Sequence, residues 1–132
     1  MEIQTKVLPL GETGGLYSII SKVITDDSGV FHLRLNPECI IYKAHFPEQP
    51  ITPGVCITQI AVELAEIIVG HSLQMIGIKN VKFLSIMTPD IQTKVTYNIS
   101  IKSSDEKETR IQAVAQSDDV VYAKMSLICK RK

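Results

Sequence analysis

Only one stretch of this chain has helical periodicity, and this constrains the fold more than any other feature of the sequence. Along positions 57–68, apolar residues recur at spacings of three and four, which places them on one face of a helix of about four turns. These residues are Ile57, Ile60, Ala61, Leu64, Ile67 and Ile68. Thr52 and Pro53 suit the N-cap and the first helical position, and Gly70 lies near the C-terminal end. We therefore predict one long helix over 53–70.

The remaining patterned segments are typical of strands. In the segment 91–102, apolar and polar residues alternate, as expected for a strand with one buried face. β-Branched or alternating residues also fill 16–27, 30–35, 76–86, 109–116 and 120–129. One helix on a mostly antiparallel sheet is an α+β arrangement. A single helix cannot cover the second face of every strand, so we expect a dimer that extends the sheet or buries the helix.

Length and charge exclude several classes of protein. A chain of 132 residues predicts one domain over 1–132. Its 14 basic residues balance 14 acidic ones, and a formal charge of zero argues against a nucleic-acid-binding protein. The same balance leaves little electrostatic repulsion between copies, which favours self-association.

Cysteine spacing and hydropathy indicate a reducing compartment. Cys39, Cys56 and Cys129 are widely spaced and form no C-x-x-C motif, so we expect buried apolar thiols and neither a disulfide framework nor a zinc site. The first fifteen residues lack the apolar core of a signal peptide. No stretch approaches the roughly 18 uninterrupted apolar residues of a membrane span. We expect a cytoplasmic protein without a membrane span.

A histidine and a rigid, proline-rich segment precede the predicted helix. Pro47, Pro50 and Pro53 each fix a backbone φ angle after His45, and Gly54 lies in the first helical turn, where amide groups are unpaired. A histidine held near a bare amide suits proton abstraction beside a carbonyl, because the amide stabilises the charge that develops on the carbonyl oxygen. The alternative is a structural histidine and ordinary prolines before a helix.

This segment, "HFPEQPITPGV" from His45 onward, resembles the active-site segment of 3-hydroxyacyl-[acyl-carrier-protein] dehydratases of the hot-dog fold. The pattern of that family reads His-Phe-Pro-Gly-x-Pro-x-x-Pro-Gly. Downstream, "IKNVKFLSIMTPD" (78–90) resembles the strand and turn that follow the helix in the family. The resemblance covers the chain from about residue 15.

The resemblance implies a fold, a reaction and roles for individual residues. It implies an antiparallel sheet wrapped around one long central helix, in homodimers or higher oligomers of dimers with the site at the dimer interface. The reaction removes water from a 3-hydroxyacyl thioester to give the trans-2-enoyl thioester. His45 corresponds to the base, and the amides of Gly54 and Val55 are the donors to the thioester carbonyl. The substrate is carried on the phosphopantetheine arm of acyl carrier protein, and no further cofactor is implied.

The sequence departs from the family at the acidic residue. The family's carboxylate lies fourteen residues after the histidine, on the partner's helix, and this position holds Gln59. Glu63 follows one turn later, where the family has a glutamine, so the amide and the carboxylate are exchanged. Residues at i and i+4 lie about 6 Å apart on one helix face, so Glu63 is a candidate for the displaced acid. The alternative is that Gln59, Glu63 and Glu66 form a solvated polar stripe. A smaller departure is Glu48, where the family usually has glycine.

Three functions remain open at this stage. The first is a dehydratase of fatty-acid or polyketide synthesis, with His45 as the base. The second is a non-catalytic acyl-thioester-binding subunit that pairs with an active dehydratase, and the third and weaker one is a hot-dog thioesterase. Tyr17 and Tyr42 are candidates either for lining an acyl tunnel or for the core. Two lysines and an arginine are candidates either for contacting the acidic carrier protein or for an ordinary solvated face: Arg34, Lys79 and Lys82.

Overall fold

A computed structural model describes residues 10–11, 15–45, 48–89 and 93–132, and of His45 it describes the backbone alone. Two strands come first, β1 (Tyr17–Thr25) and β2 (Ser28–Leu35). Two helices follow, α1 (Ile40–His45) and α2 (Gly54–Val69). Four strands complete the described chain: β3 (Leu73–Phe83), β4 (Lys94–Ser104), β5 (Thr109–Ser117) and β6 (Val120–Arg131).

The strands form one six-stranded sheet in the order β1-β2-β4-β5-β6-β3, and every pair of neighbours is antiparallel. The long helix α2 packs across strands β2 to β6. This arrangement confirms the predicted α+β class, with an antiparallel sheet around one central helix. The short helix α1 was not predicted, because six residues are too few to show a periodicity.

Alternation along the strands determines which residues face the helix. In β2, Phe31, Leu33 and Leu35 are buried while His32 and Arg34 between them are exposed. The predicted inward face of β4 is also buried, namely Val95, Tyr97, Ile99 and Ile101. The hydroxyl of Tyr97 donates a hydrogen bond to the carbonyl of Ile57 over 3.0 Å, which joins the sheet to the helix inside the core.

The observed ends of α2 agree with the predicted helix except at the N-cap. Pro53 occupies the N-cap with an extended backbone and offers no side-chain capping bond. The prediction of Thr52 as N-cap was wrong: its hydroxyl lies 2.9 Å from the Tyr42 hydroxyl, and its amide donates to the Met87 carbonyl. At the other end, Gly70 adopts φ 83°, a left-handed conformation that glycine adopts without strain, and its amide caps the carbonyl of Glu66.

The three cysteines are buried and unpaired, as the sequence predicts. Burial raises the pKa of the Cys129 thiol to about 11. Within the described ranges, no helix is both long enough and apolar enough to cross a membrane.

Candidate functional site

The carboxylate of Glu63 lies in the interior, surrounded by hydrogen-bond donors. The residue is only 9% exposed. Its Oε1 accepts from the Tyr17 hydroxyl at 2.9 Å and from the amides of Leu10 and Gly11 at 3.1 and 3.3 Å. Its Oε2 accepts from the Leu10 amide at 2.9 Å and from Gln59 Nε2 at 3.2 Å. The alternative of a solvated stripe therefore does not hold for Glu63.

The donors reach Glu63 because Leu10 and Gly11 lie beside the helix. The carbonyl of Leu10 accepts a hydrogen bond from the Leu16 amide at 2.7 Å, which ties Leu10 to the start of β1 at Tyr17. A Cβ atom at Gly11 would lie 2.9 Å from the Tyr17 ring, so this close packing needs glycine. Each recorded donor is neutral, so hydrogen bonds and not a cation stabilise this buried carboxylate within the described part of the chain.

Two neighbouring groups stay protonated. Burial, and after it the charge of Glu63, holds the pKa of Tyr17 far above its ordinary value, so its hydroxyl remains a donor. Burial also raises the pKa of the Cys56 thiol in the first turn of α2. A thiol kept neutral is a poor nucleophile, so the geometry does not favour covalent chemistry at Cys56.

The start of α2 presents two amides for a ligand. The amides of Cys56 and Ile57 both donate to the Pro53 carbonyl, at 2.9 and 3.1 Å. Those of Gly54 and Val55 have no recorded partner among the described residues, as expected for the first helical positions. They lie at the positive end of the helix dipole, so a carbonyl oxygen with developing negative charge is favoured there.

The ring of Phe83 packs closely against the start of α2. A Cβ atom at Gly54 would lie 2.8 Å from the end of that ring, and the ring itself is about half exposed. The glycine is therefore explained by packing as well as by access of a ligand to the amides. Both explanations are tested below.

The predicted base lies at the end of the short helix. His45 is the last residue of α1, and its side chain lies outside the described part of the structure. The helix itself is anchored, because the hydroxyl of the buried Tyr42 contacts the Thr52 hydroxyl at the approach to α2. Burial raises the pKa of Tyr42 to about 12, so this hydroxyl stays protonated.

The structure brings together some of the predicted residues and adds others. Gln59 and Glu63 are in direct contact, as their spacing predicts. The part played by Leu10, Gly11 and Tyr17 was missed, because backbone amides leave no pattern in a sequence and Tyr17 lies 46 residues from Glu63. Glu63 belongs to the predicted polar stripe of α2, so the helical periodicity gave no signal that its carboxylate would be buried and would need donors.

Comparison with protein families and curated proteins gives one consistent assignment. Residues 21–125 match the model of the ApeI-like family, described as ApeI dehydratase. The 3-hydroxyacyl-[acyl-carrier-protein] dehydratase FabZ of Solibacter usitatus is 25% identical over 97 residues, which cover 67% of this chain and 59% of that protein. The FabZ protein of Thermotoga maritima is 27% identical over 92 residues, covering 67% of this chain and 66% of that protein. The chain thus spans less than two thirds of the length of these relatives.

Solved structures share the fold at low sequence identity. The dehydratase heterocomplex ApeI:P from Xenorhabdus doucetiae has a TM-score of 0.63 at 21% identity, and the match covers 86% of this chain and 96% of that one. A hypothetical thioesterase with coenzyme A from Streptococcus pneumoniae also has a TM-score of 0.63, at 8% identity, over 88% of this chain and 85% of that one. Identities this low show the fold alone. The family match covers most of the chain, and this chain therefore belongs to the ApeI-like family of hot-dog proteins.

Proposed function

We propose that this protein is a dehydratase that eliminates water from a 3-hydroxyacyl thioester. His45 is the base that removes the α-proton, and the amides of Gly54 and Val55 bind the thioester carbonyl. Glu63 is the acid: it must carry a proton at this step and gives that proton to the leaving hydroxyl, which departs as water, while His45 keeps the α-proton. Gln59 orients the carboxyl group of Glu63. The observation that carries the proposal is the buried carboxylate of Glu63 in contact with Gln59, on the same helix whose first two amides have no partner among the described residues. The thioester arrives on acyl carrier protein, and the reaction needs no other cofactor.

The length of α2 requires two protomers for one site. Glu63 lies nine positions after Gly54 on α2, which is about 13.5 Å along a helix. In a 3-hydroxyacyl thioester, the carbonyl and the hydroxyl are on carbons only two bonds apart. A single protomer cannot place both groups on one substrate, so the acid must come from the helix of a second copy.

The free edge of β3 is the surface that we propose for this dimer. β3 is a terminal strand of the sheet, bonded on one side only, to β6. Large apolar residues along and after it are more than half exposed: Ile76, Ile78, Phe83, Leu84 and Ile86. An unpaired strand edge with apolar side chains favours pairing with another chain. Pairing of two β3 strands would continue the sheet across the dimer and bring the two α2 helices side by side.

The carboxyl group of Glu63 must exchange at least one hydrogen-bond partner before it can reach the substrate hydroxyl. Both oxygens accept hydrogen bonds from the turn at Leu10 and Gly11 and from Tyr17, which leaves little room for a substrate hydroxyl. The turn must therefore release at least one carboxylate oxygen when the substrate binds. This occupancy also favours a second candidate function, an acyl-thioester-binding subunit that pairs with an active dehydratase and does not itself turn over. The fold is shared with a protein of the dehydratase heterocomplex ApeI:P, an assembly of different chains.

Substitution of His45 tests the proposed reaction. We expect His45→Ala to abolish conversion of a 3-hydroxyacyl thioester, measured by absorbance of the enoyl product, because the proposed mechanism gives removal of the α-proton to the His45 imidazole. The melting temperature should change little, since Tyr42 and Thr52 anchor α1 independently of the imidazole.

The matched control is His71→Ala, at a partly exposed position beyond the end of α2, which should leave turnover unchanged. If wild-type protein converts the substrate and His45→Ala converts it equally well, the mechanism is wrong. If wild-type protein is inactive alone and active only with a second homologue, the binding-subunit function is favoured.

A further inference from the structure

The charged residues of this chain are segregated by element, although the formal charge is zero. None of the six strands contains an aspartate or a glutamate, whereas each strand contains at least one lysine or arginine. The acidic residues of the described ranges lie in turns, loops and α2. The outer face of the sheet, opposite α2, therefore has a positive potential that the balanced composition conceals.

Three of the cationic side chains line a groove on this outer face. It has a volume of about 220 Å³ and crosses strands β3, β6, β5 and β4. Asn80, Ser126 and Gln112 are direct cross-strand partners and line it as a polar row. The cations at the groove come from three different strands and are Lys79, Lys102 and Arg110.

Two irregularities in strand pairing direct both lysines to the groove. The register of β3 with β6 shifts between Ile78 and Asn80, so Lys79 is an extra residue and lines the same groove as Asn80. The register of β4 with β5 shifts between Ile101 and Ser103, which makes Lys102 an extra residue in the same way. Regular alternation would send adjacent residues to opposite faces, and a bulge changes the direction of a side chain. Two bulges that converge on one groove are the strongest sign that it binds a ligand.

The arginine is held in place and keeps donors for a ligand. Its Nε donates to Glu108 Oε2 at 2.7 Å, which fixes the guanidinium plane of Arg110. A guanidinium carries five N–H donors, so this contact uses one of them. No carboxylate is among the described residues that line the groove.

We propose that this groove binds a small anion of the phosphate class. Phosphate oxygens accept from the fork of an arginine, from lysine ammonium groups and from the amide and hydroxyl donors of the polar row. The volume is below the roughly 300–1,000 Å³ of pockets for drug-sized ligands, which suits one or two phosphate groups. No aromatic side chain is among the described residues at the groove, so these residues provide no ring on which a nucleobase could stack.

Titration of the full-length protein with inorganic pyrophosphate, followed by amide chemical shifts, tests the site. We expect shifts at Asn80, Gln112 and Ser126 at constant ionic strength. Lys102→Gln should weaken binding about fivefold, the effect of losing one exposed charge contact. The double substitution Lys79→Gln/Lys102→Gln should weaken binding about 25-fold, the product of two independent contacts. The matched control is Lys22→Gln, which removes an exposed charge from β1 at the other edge of the sheet.

Two outcomes overturn the proposal: Lys22→Gln weakens binding as much as Lys102→Gln, or citrate produces the same shifts as pyrophosphate. Either result would mean that anions are attracted to the positive sheet in general and that the groove is not a specific site. A second titration, with coenzyme A, shows whether the phosphate belongs to an organic molecule or is free. Coenzyme A carries phosphate groups on a larger molecule. If coenzyme A binds more tightly than pyrophosphate and Lys102→Gln removes this binding, the ligand is an organic phosphate. If pyrophosphate binds more tightly and Lys102→Gln removes its binding, the ligand is a free phosphate.

Discussion

At the scale of the residue, the exchange of Gln59 and Glu63 can be tested by reversing it. Glu63→Gln should slow dehydration roughly 10²–10⁴-fold, the usual contribution of a positioned acid. It should also lower the free energy of unfolding by about 1–3 kcal/mol, because an amide NH₂ would face donors that now meet an acceptor. The double variant Gln59→Glu/Glu63→Gln should recover part of the activity, measured as kcat/KM.

Tyr17→Phe and Tyr42→Phe form the control pair for this experiment. Each removes one buried hydroxyl with one recorded side-chain bond, to Glu63 and to Thr52 respectively. Tyr42→Phe should lower the free energy of unfolding by about 1 kcal/mol and Tyr17→Phe by about 1.5–3 kcal/mol, because the Tyr17 hydroxyl donates to a charged group. Only Tyr17→Phe should alter the pH dependence of turnover. Wild-type turnover that neither substitution at Gln59 nor at Glu63 changes would contradict the assigned roles.

Sequence alone predicted the position of the carboxylate but not its surroundings. The spacing of Gln59 and Glu63 on one helix face correctly placed them in contact. The donors at Leu10 and Gly11 are backbone groups, whose positions depend on tertiary folding and not on residue type. Because the His45 side chain is not described, its role stays a prediction.

At the scale of the element, the start of α2 permits a test of what Gly54 does. Gly54→Ala should lower kcat/KM for the thioester, because a methyl group beside the two free amides obstructs the carbonyl. The fold should persist, since the clashing Phe83 ring is about half exposed and alanine is a better helix former than glycine.

Phe83→Ala, combined with Gly54→Ala, separates the two explanations. If the double variant remains as impaired as Gly54→Ala alone, the glycine serves access to the amides. If Phe83→Ala restores full activity, the glycine serves only packing, and the proposed role of these amides is wrong.

The elements themselves were largely predictable, and the failures share a physical reason. The long helix and the strands have apolar periodicities that are visible in the amino-acid sequence. The N-cap was misassigned because Thr52 has a tertiary partner, the Tyr42 hydroxyl, which competes with capping. The bulges at Lys79 and Lys102 arise from register between strands, which no single segment specifies.

At the scale of the whole molecule, the proposed dimer depends on the edge of β3. We expect sedimentation at micromolar concentration to show a dimer, and Ile78→Lys to weaken it at least about tenfold, because a charge would be buried between the paired edges. Ile78 is 54% exposed in the single chain, so its replacement should leave the fold intact.

Val23→Lys is the matched control, since Val23 is exposed on β1 at the opposite edge of the sheet. A stable monomer for the wild-type protein would contradict the proposed dimer, and a dimer that only Val23→Lys disrupts would place the interface elsewhere. Because the site needs a second α2 helix, Ile78→Lys should also lower turnover in proportion to the dimer lost.

The closure of the first described turn over Glu63 has a consequence for the order of folding. Its contacts join residues 46 to 53 positions apart, whereas the hairpins β4–β5 and β5–β6 join near neighbours. Distant contacts carry a larger entropic cost and tend to form after local ones. The helix would thus fold first with its carboxylate exposed to water, and the contacts from Leu10, Gly11 and Tyr17 would form over it last. Changes near Leu10 should then accelerate unfolding and leave the rate of folding almost unchanged.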